Sequence, residues 1–277
     1  MSAGARGAVA EPIRLGGWAL VLGASSGFGE AVSLALARAG MHVFGVHLDR
    51  RATRVNADRI VADIRALGRE AHFFNVNAAD DEKRVEVATE MERTLRERGE
   101  FGELRVLLHS LAFGTLKLFV ADPAKEAVTK AQMDMTLDVM ANSLVYWTQE
   151  VVARGLMGAG GRIFAMTSSG GARVLPFYGP VSAAKAALES NIRQLAAELA
   201  PQGITANSIR AGVTSTPAAR AIPGYEEFSR KAEERNPHRR LTTPEDVARA
   251  ITVLSHPDTQ WITGNVIGVD GGEEIVG

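Results

Sequence analysis

The chain contains no cysteine, which excludes disulfide bridges, thiolate catalysis and cysteine metal sites. Its six histidines are scattered without HExxH-like spacing, so no metal is expected. Neither sign of charge dominates: 31 Lys and Arg stand against 32 Asp and Glu, a formal net charge of −1. That balance leaves no electrostatic footprint for nucleic acid or for a membrane surface. Long apolar runs are missing as well. The opening MSAGARGAVAEPIRLGG reads as neither a secretory signal nor an anchor, and no later segment approaches the roughly eighteen apolar residues of a spanning helix. These absences predict a soluble, cytoplasmic protein whose partner is a small molecule or another protein.

What is present is a long alternation. Short apolar runs (WALVL, HVFGV, AHFFNV, LRVLLHS, GRIFAMTS, ITANSI, NVIGV) are separated by stretches with helical periodicity, among them a long one around Met133 to Met157. Seven strands, six followed by helical segments, predict an α/β fold: a Rossmann-type doubly wound parallel sheet with helices on both faces. With 277 residues and 46% hydrophobic content, one core suffices. We expect a loose tail over 1–15 and a single dinucleotide-binding catalytic domain over 16–277. Between about 215 and 240 the apolar spacing becomes irregular (PAARAIPGYEEFSRKAEERNPHRR), at the carboxyl end of a parallel strand where ligands bind, so this segment is expected to act as a substrate lid.

GASSGFG, Gly23 to Gly29, follows the first strand and opens a helix. Its glycines allow a tight turn and close backbone approach, so that the free N–H groups of a helix N-terminus face a pyrophosphate. The GxxxGxG spacing resembles the short-chain dehydrogenase/reductase family, and the resemblance extends from about Gly16 to Gly272. It implies that Gly23, Ser25, Ser26, Gly27, Phe28 and Gly29 cradle the cofactor, that Asn75 and Val76 touch its adenine, and that Gly212, Val213, Thr214 and Thr216 of AGVTST hold the nicotinamide carboxamide. Ser110, Leu111 and Ala112 of HSLAFG stand where most members carry Asn-Asn-Ala-Gly. At the end of the second strand, His47 occupies the place of the family's ribose-binding aspartate, with Arg50, Arg51 and Arg54 nearby. A missing acid and nearby guanidiniums suit a 2′-phosphate, favouring NADPH; a small loop shift that brings Asp49 to the ribose leaves NADH as the alternative.

The stretch PFYGPVSAAKAALES places Tyr178 seven residues before Lys185. At ~100° per residue, seven residues return a side chain to within roughly 20° of the same helix face, so both can enter one cleft. As a nearby cation, Lys185 is expected to lower the tyrosine's pKa while holding the nicotinamide ribose. Ser168 keeps the register of the family's catalytic serine, but Val181 fills the usual tyrosine position and the tyrosine stands three residues earlier. Pro180 puts Tyr178 at the helix boundary. Asn142 in VMANSL matches the family's asparagine, which supports a water relay to the lysine. Phe113 is a candidate for lining the acyl site.

The Tyr-x6-Lys spacing and HSLAFG resemble the bacterial enoyl-acyl carrier protein reductases, a divergent branch of the family. In ketone reduction the developing oxyanion is bonded to the hydride acceptor; in reduction of an α,β-unsaturated thioester it lies farther along the conjugated system, and the acid must move with it. The resemblance therefore implies reduction of trans-2-enoyl thioesters, Tyr178 stabilising the enolate with help from Ser168, and a homotetramer. The alternatives are a 3-oxoacyl or other carbonyl reductase, and a non-catalytic dinucleotide sensor. Arg230 to Arg240 carries five basic residues against two glutamates, which suits either an acidic carrier protein or a solvated face.

Overall fold

The computed structural model describes residues 13–276. Of the expected tail, residues 1–12 lie outside the described residues, while Leu15 is fixed by its N–H donating to the Ala39 carbonyl at 2.7 Å. Seven parallel strands, β1 Trp18–Leu22, β2 His42–His47, β3 Ala71–Asn75, β4 Leu104–His109, β5 Arg162–Thr167, β6 Thr205–Ala211 and β7 Val266–Val269, form one sheet in the order β3-β2-β1-β4-β5-β6-β7. Strand order reverses between β1 and β4, so the carboxyl ends of these two strands frame the crevice in which such sheets bind ligands.

Side chains alternate across β1, and each face has its own helical layer. Trp18, Leu20 and Leu22 pack into one apolar cluster with residues of α3 (Asp81–Glu97), α5 (Ser143–Ala153) and α6 (Gly179–Leu199). Ala19 and Val21 face a second cluster formed with α1 (Gly27–Arg38), α2 (Arg54–Ala66) and α9 (Pro244–Leu254). Because β1 is buried on both faces, its sequence is a continuous apolar run rather than an alternating one. Local signals agree with the global fold where the chain enters helices: Asp80 caps α3, and Thr243 with Asp246 forms a capping box on α9, with Pro244 in the first turn.

The long helical region expected around Met133 to Met157 is divided. α4 spans Lys130–Leu137, a π-helical turn occupies Asp138–Asn142, and α5 then runs to Ala153. Such a turn inserts a residue into the helical ladder and rotates α5 relative to α4. The segment expected to be a lid contains two short helices, α7 Pro217–Arg220 and α8 Tyr225–Arg235, separated by Gly224 at φ 79°, a conformation that glycine adopts without strain.

Candidate functional site

The glycine-rich turn is built by close backbone packing. A Cβ on Gly29 would stand 2.0 Å from the Gly23 carbonyl oxygen, and Gly23 itself, at φ 89°, has its α-carbon against the Ser110 carbonyl. No side chain fits at either place. Gly27, at φ 55°, abuts Thr216, so the turn touches the loop after β6. Asn56 of α2 fastens the turn from outside, donating to the Ser25 carbonyl at 2.5 Å and to Glu30 at 3.0 Å. Ser26, the N-cap of α1, makes no side-chain capping bond, which leaves the first-turn N–H groups of a twelve-residue helix open to an anion.

At the end of β2 the His47 ring is buried, and its Nδ1 lies 2.8 Å from Asp49 Oδ2. Asn75 holds the same loop from β3, accepting from the Asp49 N–H at 2.8 Å and donating to the Asp49 carbonyl at 3.0 Å. Burial raises the Asp49 pKa, but hydrogen bonds from Thr53, Ser25 and His47 outweigh it and leave the carboxyl below its usual range. A stable carboxylate thus touches Ser25 of the glycine-rich turn, and the Arg50 side chain beside it is exposed.

A cavity of about 640 Å³ opens at the carboxyl ends of the strands. Phe28, Ser110, Leu111, Ala112 and Phe113 line it from one side, and Ser168, Tyr178 and Lys185 from another. Gly212, Val213, Thr214 and Thr216 lie along it, as do Ile222 and Phe228 of the segment expected to cover it. Val181, in the usual tyrosine position, also lines it and packs toward Gly114. Asn142, His47, Arg50, Asn75 and Val76 do not line this cavity, nor do Gly23, Ser25, Ser26, Gly27 and Gly29 of the glycine-rich turn. Asn142 lies in the π-helical turn.

Tyr178 is the N-cap of α6. The residue before it, Phe177, adopts φ 63°, a strained conformation for a bulky side chain. The phenol ring packs against Gly170, where a Cβ would come 2.5 Å from Tyr178 Cε1. Burial pushes the Tyr178 pKa up, and a hydrogen bond from Ser168 opposes that only in part. The direction is the reverse of the sequence expectation: burial of the phenol outweighs what lowers its pKa, and the Lys185 ammonium donates to the Met166 carbonyl at 2.7 Å. Tyr178 is a neutral O–H donor. Lys185 is itself brought down to about 8 by desolvation, against which the Glu189 carboxylate, one turn along α6, pulls upward. Glu189 in turn accepts from Thr167 Oγ1 at 2.6 Å.

Sequence reading did not single out His109 or Ser143, although His109 begins the HSLAFG stretch. The buried Ser143 hydroxyl donates to the Val139 carbonyl at 2.8 Å and faces His109 Nε2 at 2.9 Å, so Nε2 carries the proton. Nδ1 is then buried without a partner among the described residues. Desolvation, followed by the Lys185 charge, pushes this histidine down to about 3, so it is neutral at every ordinary pH.

The basic segment also resolves into pairs. Arg230 bonds Glu234 and Lys231 bonds Glu227 one turn apart on α8, and Arg240 bonds Asp246, each at 2.6 Å, while Lys231 and Arg235 also line the cavity. Among the described residues no cluster of metal-ligating side chains occurs, and no helix is long and apolar enough to cross a membrane.

Residues 23–274 match a family model described as enoyl-(acyl carrier protein) reductase. The NADH-dependent enoyl-[acyl-carrier-protein] reductase of Synechocystis is 36% identical over 183 residues, covering 64% of this chain and 67% of that protein. Versicolorin reductase 1 of Aspergillus parasiticus is 29% identical over 269 residues, covering 92% and 95%. The crystal structure of the NADH enoyl-[acyl-carrier-protein] reductase of Aquifex aeolicus superposes with a TM-score of 0.78 at 25% identity, covering 94% of this chain and 97% of that one.

Proposed function

The chain belongs to the short-chain dehydrogenase/reductase family, and from that premise we propose that it reduces the trans-2 double bond of enoyl thioesters with NADH or NADPH. The observation that carries this reading is the neutral, buried Tyr178 hydroxyl, placed three residues before the usual position, which Val181 fills, in a cavity whose wall is mostly apolar. The family resemblance to both enoyl and ketone reductases makes the position of this donor the deciding feature.

The chain's own residues fit a dinucleotide. The cramped Gly23–Gly29 turn and the uncapped start of α1 would take the pyrophosphate, and the loop from Gly212 to Thr216 would take the carboxamide. Lys185 Nζ, buried and bonded to a single protein acceptor, has protons left for ribose hydroxyls. When bound, the reduced nicotinamide supplies a hydride. Tyr178 Oη–H donates to the thioester oxygen as negative charge gathers there, and the Ser168 hydroxyl opposes the upward pull of burial on the phenol. The phenol remains protonated across the working pH range because burial raises its pKa. Hydride at the β-carbon leaves an enolate, and one proton taken from solvent water at the α-carbon completes the reduction. Leu175, Val181 and Ile222 exclude water along the acyl path.

Asp49 weighs on the choice of dinucleotide. Its carboxylate at Ser25 is suited to ribose hydroxyls and repels a 2′-phosphate, whereas Arg50, Arg51 and Arg54 attract one. The carboxylate is held below its usual range and pairs with His47 at 2.8 Å, while the Arg50 side chain is exposed, so the pre-organised group favours NADH. We further propose one catalytic domain with about 215–240 as its lid, working as a cytoplasmic homotetramer on carrier-protein or coenzyme A thioesters.

Ser168 beside the phenol also suits a ketone, which keeps 3-oxoacyl reduction as the second reading. Oxidation of NADH and NADPH should be followed with enoyl thioesters beside the matching 3-oxo thioesters. Turnover of the 3-oxo substrate without the enoyl one overturns the proposal. Dinucleotide binding with no turnover of either would point to a sensor.

A further inference from the structure

We propose that Glu273 is a positioning residue: from the C-terminal turn it holds the Val213 loop and helix α8 together over the cavity, and its negative charge is what links them. The reductase reading enters only in naming what the cavity receives. After β7, Gly271 at φ 62° and Gly272 at φ 85° reverse the chain, and the Asp270 carboxylate fixes the turn by accepting from Gly272 N–H at 2.9 Å and Glu274 N–H at 3.3 Å. Two consecutive left-handed residues are accessible to glycine at little cost, and they send the Glu273 side chain inward.

There Glu273 is 4% exposed and lines the cavity. Its Oε2 accepts from Val213 N–H at 3.0 Å, and its Oε1 lies 3.5 Å from Arg235 Nη2 at the end of α8. The packing is close enough that a Cβ on Gly212 would come 2.9 Å from Oε2. Two neighbouring contacts reinforce the same turn. Asn236, the C-cap of α8, donates to the Asp270 carbonyl at 2.8 Å, and Arg173 from the segment after β5 bonds the Glu274 carbonyl and carboxylate at 3.1 and 3.2 Å. One turn therefore ties together three segments that border the cavity.

Stability alone does not explain a carboxylate at this place. Burial pushes Glu273 up, and the Asp270 and Glu274 charges push the same way; only the Val213 N–H and Arg235 oppose them. A neutral amide of the same shape would avoid that burial cost and still accept from Val213, but it would lose the charge that holds Arg235.

The test compares Glu273→Gln, Arg235→Gln and the double variant, each read by amide hydrogen exchange across α8, by titration with NADH and NADPH, by Tm, and by kcat and KM for an enoyl thioester. Each single variant should exchange about fivefold faster in α8, as expected for losing one partly exposed ion pair, and the double variant no faster than either. KM should rise by about the same factor with kcat nearly unchanged, and the Tm of Glu273→Gln at neutral pH should equal or exceed that of the native chain. A lowered Tm with native α8 exchange would reduce Glu273 to a structural role and overturn the proposal, as would additive effects in the double variant. If no enoyl thioester is turned over, exchange and titration still test the clamp, so its failure is distinct from failure of the reductase reading.

Discussion

Replacing Tyr178 with phenylalanine removes one oxygen atom and nothing else from the cavity wall. The ring keeps its place against Gly170 and the α6 N-terminus, because the contact that excludes a Cβ at Gly170 is made by Cε1 rather than by the hydroxyl. The hydroxyl's interaction with Ser168 is offset by its own desolvation cost, so stability should change by no more than about 1 kcal/mol. Loss of a donor aimed at a developing oxyanion costs on the order of 10²–10³ in kcat, about 3–4 kcal/mol of transition-state stabilisation. The assay is the rate of NADH oxidation with a saturating enoyl thioester, accompanied by dinucleotide titration and Tm. Tm and dinucleotide affinity should stay near native while kcat collapses. Because burial raises the Tyr178 pKa from 10.0, the native kcat profile should show no descending limb from this group below that value. Ser168→Ala in the Tyr178→Phe background should add little, since Ser168 acts through the phenol. Native kcat in Tyr178→Phe would remove the phenol from the chemistry, and a matching loss of dinucleotide affinity would recast it as a binding group.

Lys185→Met should weaken dinucleotide binding yet raise Tm at pH 7. The native lysine falls from 10.5 to about 8, so the folded state holds fewer protons than the unfolded one between these values and stability rises with pH across that window. Below it, burying the charge costs on the order of 3 kcal/mol; a Tm difference that persists unchanged at pH 10.5 would contradict the assignment. Native protein should bind NADH more tightly than NADPH, and Asp49→Asn should narrow the gap by about tenfold, the scale of one charged contact; equal dissociation constants before and after substitution would exclude Asp49 from the choice. Gly29→Ala forces a Cβ to within 2.0 Å of the Gly23 carbonyl and should destabilise by about 1–3 kcal/mol while abolishing dinucleotide binding, checked by denaturant titration and calorimetry.

The sheet was readable from sequence because its central strands are buried on both sides, which produces apolar runs such as WALVL, and VLL within LRVLLH, between helical stretches. The π-helical turn over DVMAN was not readable. It changes which carbonyl each N–H meets, and Val139, Met140 and Ala141 are buried as they would be in an unbroken helix. Side chains coupled across long loops were equally hidden: His109 meets Ser143 and Glu273 meets Val213, 34 and 60 positions apart, with no periodicity to link them.

The Tyr178–Lys185 pair was legible for a narrower reason. Helical arithmetic puts the two on one face, and both do line the cavity. Tyr178, however, stands outside the helix as its N-cap, behind the left-handed Phe177, with its ring seated on Gly170. The turn from Gly170 to Phe177 therefore sets where the phenol points, and the helix sets only where the lysine points. This separation explains the one electrostatic expectation that failed. Lys185 reaches the Met166 carbonyl from the helix, while burial at the turn keeps the phenol neutral. A tyrosine carried by the turn can also move along the substrate without disturbing the Ser168 and Lys185 register, so a three-residue displacement changes which oxygen it meets while the cofactor side of the site stays in place.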